Sequence, residues 1–144
     1  MTALNVQSRS RPSMGQWLTL GAIAAVLAAA AVLAVQWLAL SIWPDAALFK
    51  PLDSYPRTAL FTIIPAFLAT ALFAWLAGRR ADPARAFVRI SLVVLVLSFI
   101  PDYILPVPDI TLLASTITAF LHVVAAVVIV GVLVAGYRRY GGRA

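Results

Sequence analysis

Four apolar runs divide this chain, at roughly 17–41, 58–78, 84–105 and 110–136. A helix of ~20 apolar residues is long enough to cross a hydrocarbon layer ~30 Å thick. Each run therefore reads as a membrane-spanning helix. The alternative, a soluble domain, fails on composition. Of the 144 residues, 63% are hydrophobic and 11% charged, where soluble domains carry about 25% charge. A fold this small has too little interior to hide so much apolar surface. The expected fold is all-α, an integral membrane four-helix bundle forming one domain over residues 16–140. Residues 1–15 are expected to form a short disordered cytoplasmic tail and residues 141–144 a second tail.

The first run carries a basic flank, Arg9 and Arg11, as a signal peptide would. It continues to Trp43, however, well beyond the ~7–15 residues of a signal peptide's apolar region. It reads as a retained first span. Small residues Gly21, Ala25, Ala28 and Ala29 recur along it at helical spacing, which allows a neighbouring backbone to approach closely.

Charge sets the expected orientation. The chain has eleven Lys and Arg against five acids, all of them Asp. Nine of the bases (Arg9, Arg11, Arg79, Arg80, Arg85, Arg89, Arg138, Arg139, Arg143) fall on one side, and only Lys50 and Arg57 on the other. Basic residues collect on the cytoplasmic side of membrane proteins, so both termini and the 79–89 region are placed there. The same rule explains the net +6 without nucleic acid as a partner. The abundance of Ala and Arg suggests a bacterial source, and the expected location is the bacterial cytoplasmic membrane. Trp17, Trp75, Tyr137 and Tyr140 are expected at one interface, and Trp43, Tyr55 and Tyr103 at the other. The partner implied throughout is the lipid bilayer. Anionic headgroups could pair with Arg79, Arg80, Arg138 and Arg139, and a second copy or another membrane protein could also dock.

Prolines punctuate the pattern. Pro44, Pro51 and Pro56 exclude a continuous helix in the first connection. That connection stays oily through Leu48, Phe49, Leu52 and Tyr55 and is expected at headgroup level. Asp82-Pro83 reads as an N-cap followed by a helix-starting proline. Pro65 and Pro101 fall inside spans and are expected to kink or break them.

The polar residues left inside the spans are the candidate site. Thr111, Ser115, Thr118 and His122 follow one another at i, i+4, i+7 and i+11, one stripe descending the fourth span. Ser91, Ser98 and Asp102 form a matching row on the third. His122 is about twelve residues into its span and is expected near the midplane, facing the bundle interior. There it serves either as an interhelical hydrogen-bonding group or as a protonatable group in an outward-opening cavity. Asp102 is expected at the outer headgroups, ~10 Å or more from the imidazole. With Asp45, Asp53 and Asp109 it would form an outer acidic rim paired loosely with Lys50 and Arg57.

The segments LSFIPD (97–102) and TAFLHVVAAVVIVGVL (118–133), with the basic turn before the third helix, resemble a known family. It comprises small four-helix membrane proteins, bacterial and largely actinobacterial, named as domain of unknown function 6069. The resemblance spans about residues 16–140. It implies the four-helix fold and the membrane location, and it draws attention to Pro101 and His122. It implies no activity.

For function, the leading expectation is a non-enzymatic membrane protein with a structural or interaction role. The alternative is a small transporter or channel subunit with a polar cavity around His122. Without cysteine there is no thiol–quinone chemistry, and one histidine cannot supply a haem or di-iron bundle site. A Ser98–His122–Asp102 hydrolase would need Asp102 much closer than expected. Neither a metal nor a cofactor is expected.

Overall fold

The computed structural model describes residues 11–104, 106 and 108–141. Four long helices account for most of it: α1 (Met14–Ile42), α2 (Tyr55–Arg79), α3 (Pro83–Ile104) and α4 (Leu112–Gly141). All four are long and apolar enough to cross a membrane. Two short 3₁₀ turns, Pro44–Leu48 and Lys50–Leu52, join α1 to α2.

Local chemistry sets the helix ends. Ser13 accepts from the Gln16 amide while the Gln16 side chain accepts from the Ser13 amide, which caps α1 at both groups. Ser54 caps α2, with Pro56 in the first turn where a proline costs nothing. Asp82 Oδ1 accepts from the Arg85 amide at 3.1 Å and Pro83 opens α3, as the sequence suggests. Helix starts placed at Trp17 and Thr58 from composition therefore come three residues late. Of the expected amino-terminal tail, Met14 and Gly15 are helical, residues 11–13 lead into them outside any helix, and residues 1–10 lie outside the described residues, as do 142–144.

The prolines inside spans do not break them. Pro65 lies within α2 and Pro101 within α3, and both helices run on. Pro101 is in the last turn of its helix, where little helix remains to disrupt. A membrane bundle also tolerates a missing backbone bond where neighbouring groups compensate.

Chain order closes the helices into a ring, with α1 against α2 and α4, and α3 against α2 and α4. At the arginine-rich end one aromatic ring from each helix meets its neighbours. Phe73 of α2 stacks on Phe87 of α3 at 4.4 Å between centroids, and lies 5.4 Å from Trp17 of α1 and 5.1 Å from Tyr137 of α4. Trp17 and Tyr137 thus turn inward instead of joining an interfacial belt. Trp75 does face outward, with the Arg79 guanidinium over its ring at 4.9 Å.

The small-residue face of α1 is used within the chain. A Cβ on Gly21 would stand 3.0 Å from Thr70 Oγ1 of α2, and Gly136 of α4 receives Leu20 so closely that a Cβ there would clash. At the other end a second apolar cluster gathers Phe49, between the two 3₁₀ turns, and Leu52 of the second over Val32 of α1 and Leu121 of α4. The first connection is therefore folded onto the bundle. Large apolar side chains such as Val26, Phe61, Leu92 and Val127 point outward, as lipid requires.

Candidate functional site

The stripe on α4 exists, and its members do different things. Thr111 caps α4, its hydroxyl accepting from the Ala114 amide at 3.1 Å. Ser115 and Thr118 are buried, and the Thr118 hydroxyl donates back to the Ala114 carbonyl at 3.0 Å. One turn further, His122 Nδ1 lies 2.9 Å from the Thr118 carbonyl. A carbonyl can only accept, so this contact assigns the proton to Nδ1 and leaves Nε2 with a lone pair. The imidazole's hydrogen bond is therefore to its own helix, and it does not join two helices.

The interhelical partner is Asp102. Its Oδ2 lies 3.7 Å from His122 Nδ1, and its side chain is 8% exposed against 38% for the histidine. This overturns two expectations. Asp102 is no member of a solvated outer rim, and it is not ~10 Å above the imidazole. Those expectations measured depth downward from the outer ends of the two helices, as if these were level. They are not. Asp102 is two residues from the end of α3 and His122 ten residues from the start of α4, so α4 extends past α3 by ~12 Å.

Measured from the aromatic end, the pairing follows. Phe87 and Tyr137 both flank Phe73, which puts them at one level on two antiparallel helices. Fifteen residues along each, about 22 Å at helical rise, come Asp102 and His122. Equal steps from a common level bring them together.

At 3.7 Å the pair is within ion-pair range but too long for a hydrogen bond. Asp102 Oδ2 is buried with no hydrogen-bond partner. To become a charge-assisted hydrogen bond the contact would have to shorten by ~0.5–1 Å and the Nδ1–H turn from the Thr118 carbonyl to the carboxylate. With the Nδ1–H donated to Thr118, the ring can take up a further proton only at Nε2, and the imidazolium so formed would have the Asp102 carboxylate beside it as counter-ion. The more exposed imidazole is where a proton can enter or leave.

The rest of the α3 row contributes less than expected. Ser98 is half-buried and its hydroxyl donates to the Leu95 carbonyl at 2.7 Å. Ser91, half-buried, lies two turns further along α3. Among the described residues no hydrogen bond joins either serine to α4, and it is this missing Ser98–His122 contact, not the distance of Asp102, that counts against a Ser98–His122–Asp102 hydrolase. Tyr103 does bridge the helices, its hydroxyl donating to Thr116 Oγ1 at 3.3 Å.

The acidic rim is reduced to three residues. Asp53 pairs with Arg57 at 2.6 Å, and Arg57 also donates to the Lys50 carbonyl. Asp45 is exposed. Asp109 is exposed and takes the left-handed backbone, φ 59°, in the turn between α3 and α4, a conformation that aspartate tolerates better than most residues. No group of three or more His, Cys, Asp or Glu side chains forms a metal site among the described residues.

Sequence reasoning missed Gln36. It is fully buried on α1, its Nε2 donates to the Leu52 carbonyl at 3.0 Å, and its Oε1 has no partner. The signal was present: one amide in an otherwise apolar run.

Comparison with known proteins gives one result. The sequence model described as "Family of unknown function (DUF6069)" matches residues 12–139. No curated protein matches, and no solved structure matches.

Proposed function

We propose a function for a chain that belongs to the family of unknown function DUF6069 and has four helices fit to span a membrane. It is a small, non-enzymatic transporter or channel subunit whose working group is the Asp102–His122 pair, which binds and releases a proton. Ionisable side chains inside a membrane bundle are costly to place and mark ion or proton pathways. The observation that carries the reading is Asp102, buried with one unpartnered oxygen, 3.7 Å from the half-exposed His122. Interhelical glue explains it less well, because the imidazole's hydrogen bond is spent on Thr118 of its own helix. In this reading the arginine-rich end faces the cytoplasm of a bacterial cell, and the pair lies toward the opposite end of the bundle.

Proteoliposomes with an imposed pH gradient and a trapped pH dye test this. Wild-type chain should carry proton-linked flux, and His122→Gln and Asp102→Asn should each abolish it while keeping helical content and elution volume. A wild-type flux no higher than that of empty liposomes, or variants that match wild type, would refute the proposal.

A second reading, an interaction role, draws on α3. Of its 22 residues only Pro83, Phe87 and Asp102 are buried. Its middle stretch would suit a partner helix. The chain has no native cysteine, so Val94→Cys allows a clean crosslinking test in native membranes. A crosslinked species favours this role, and an uncrosslinked monomer counts against it.

A further inference from the structure

The arginine-rich end carries a second feature, far from Asp102 and His122 and independent of their role. A groove of about 370 Å³ runs between α1 and α4 there. Leu20 and Gly136 form its buried floor, and Ile23 and Ala135 its exposed walls. Ala135 keeps its wall low, since a larger side chain there would fill it, whereas the space over Gly136 is already taken by Leu20. At its mouth stand Arg139 and Tyr140.

We propose that this groove binds one anionic phospholipid. The phosphate is held by the Arg139 guanidinium and the Tyr140 hydroxyl, and the upper part of an acyl chain lies along Ile23 and Val132. Three observations support this occupant. Seven residues of α4 separate Val132 from Arg139, about 10 Å of apolar wall ending in a cation. That order, apolar groove and then charge, matches a lipid's chain and headgroup. Arg139 also has no carboxylate within salt-bridge distance among the described residues. The acid at this end, Asp82, is already paired with Arg85 at 3.2 Å. Finally, arginine meets phosphate through two parallel hydrogen bonds, and basic pockets between spanning helices favour anionic headgroups.

Native mass spectrometry of the detergent-purified full chain tests the site, using dioleoyl phosphatidylglycerol and dioleoyl phosphatidylcholine in equal amounts. One bound lipid should be retained, with at least about fivefold preference for the anionic lipid. Arg139→Gln should remove the preference. Ala135→Leu, which keeps the charge and fills the groove, should reduce retention of both lipids. Arg80→Gln, at the same end but outside the groove, should leave the preference intact. The proposal is overturned if Arg80→Gln acts as strongly as Arg139→Gln, which would indicate a diffuse basic surface. Full retention in Ala135→Leu would also overturn it, as would displacement of the lipid by inorganic phosphate alone, which would indicate a simple anion site.

Discussion

The two ends of the bundle are held by different chemistry. At the arginine-rich end, Trp17, Phe73, Phe87 and Tyr137 bring one ring from every helix into a single cluster, and Phe73 and Phe87 are fully buried. Toward the other end α3 buries nothing between Phe87 and Asp102, and meets α4 there through a carboxylate, an imidazole and the Tyr103 hydroxyl. Lipid is as apolar as a leucine side chain, so the hydrophobic effect adds little between spanning helices and close packing must hold them. The aromatic end has that packing. At the polar end α3 lacks it and retains an incompletely satisfied pair, while α1, α4 and the first connection pack around Phe49 and Leu52. For α3, then, packing is concentrated at the aromatic end and ionisable chemistry at the end where it is loosely packed.

Truncating the centre of the aromatic cluster should therefore have the largest effect. Phe73→Ala removes the ring that touches the other three and should cost roughly 3–5 kcal/mol, read as a drop in thermal midpoint in detergent. Asp102→Asn, similar in shape, should cost about 0.6–2 kcal/mol at most. If the two variants prove equally destabilised, the contrast between the ends fails.

The glycines sharpen the same comparison within one helix. A Cβ at Gly136 would run into Leu20, whereas one at Gly131 meets nothing within 4 Å. Gly136→Ala should destabilise by about 1–3 kcal/mol through overpacking. Gly131→Ala should instead be neutral or stabilising by up to ~1 kcal/mol, the helix propensity of alanine over glycine. Thermal midpoints of the two variants should move in opposite directions, or at least differ by several degrees.

What was legible in the sequence, and what was not, follows the physics of each level. The helices were legible because a membrane requires length and apolarity, and both are local properties. The Asp82-Pro83 start of α3 was legible because capping is local too. The Asp102–His122 contact was not, because it depends on how far α4 slides past α3. Phe87 and Tyr137 set that offset by sharing Phe73 as a neighbour, and nothing in either segment alone reports it. The prolines misled for a related reason. Their local cost is real, but tertiary packing decides whether a helix continues through them, and in α2 and α3 it does.

The first connection offers the finest test, since it closes the polar end by a means the aromatic end does not use. Phe49 and Leu52 are buried against α1 and α4, and the Gln36 amide reaches from α1 to the Leu52 carbonyl. Two effects oppose each other in Gln36→Leu. The substitution deletes an amide oxygen that has no partner, which favours the variant, but it also leaves the Leu52 carbonyl unpaired, at about 1–3 kcal/mol. Because these partly cancel, global stability should shift by ~1 kcal/mol or less. The local effect should be clearer: with its tether gone, residues 46–53 should exchange amide hydrogens faster while α1 and α4 keep their protection. Uniformly faster exchange along all four helices would mean that Gln36 supports the whole bundle, and that its polar end is held more firmly than the packing around α3 suggests.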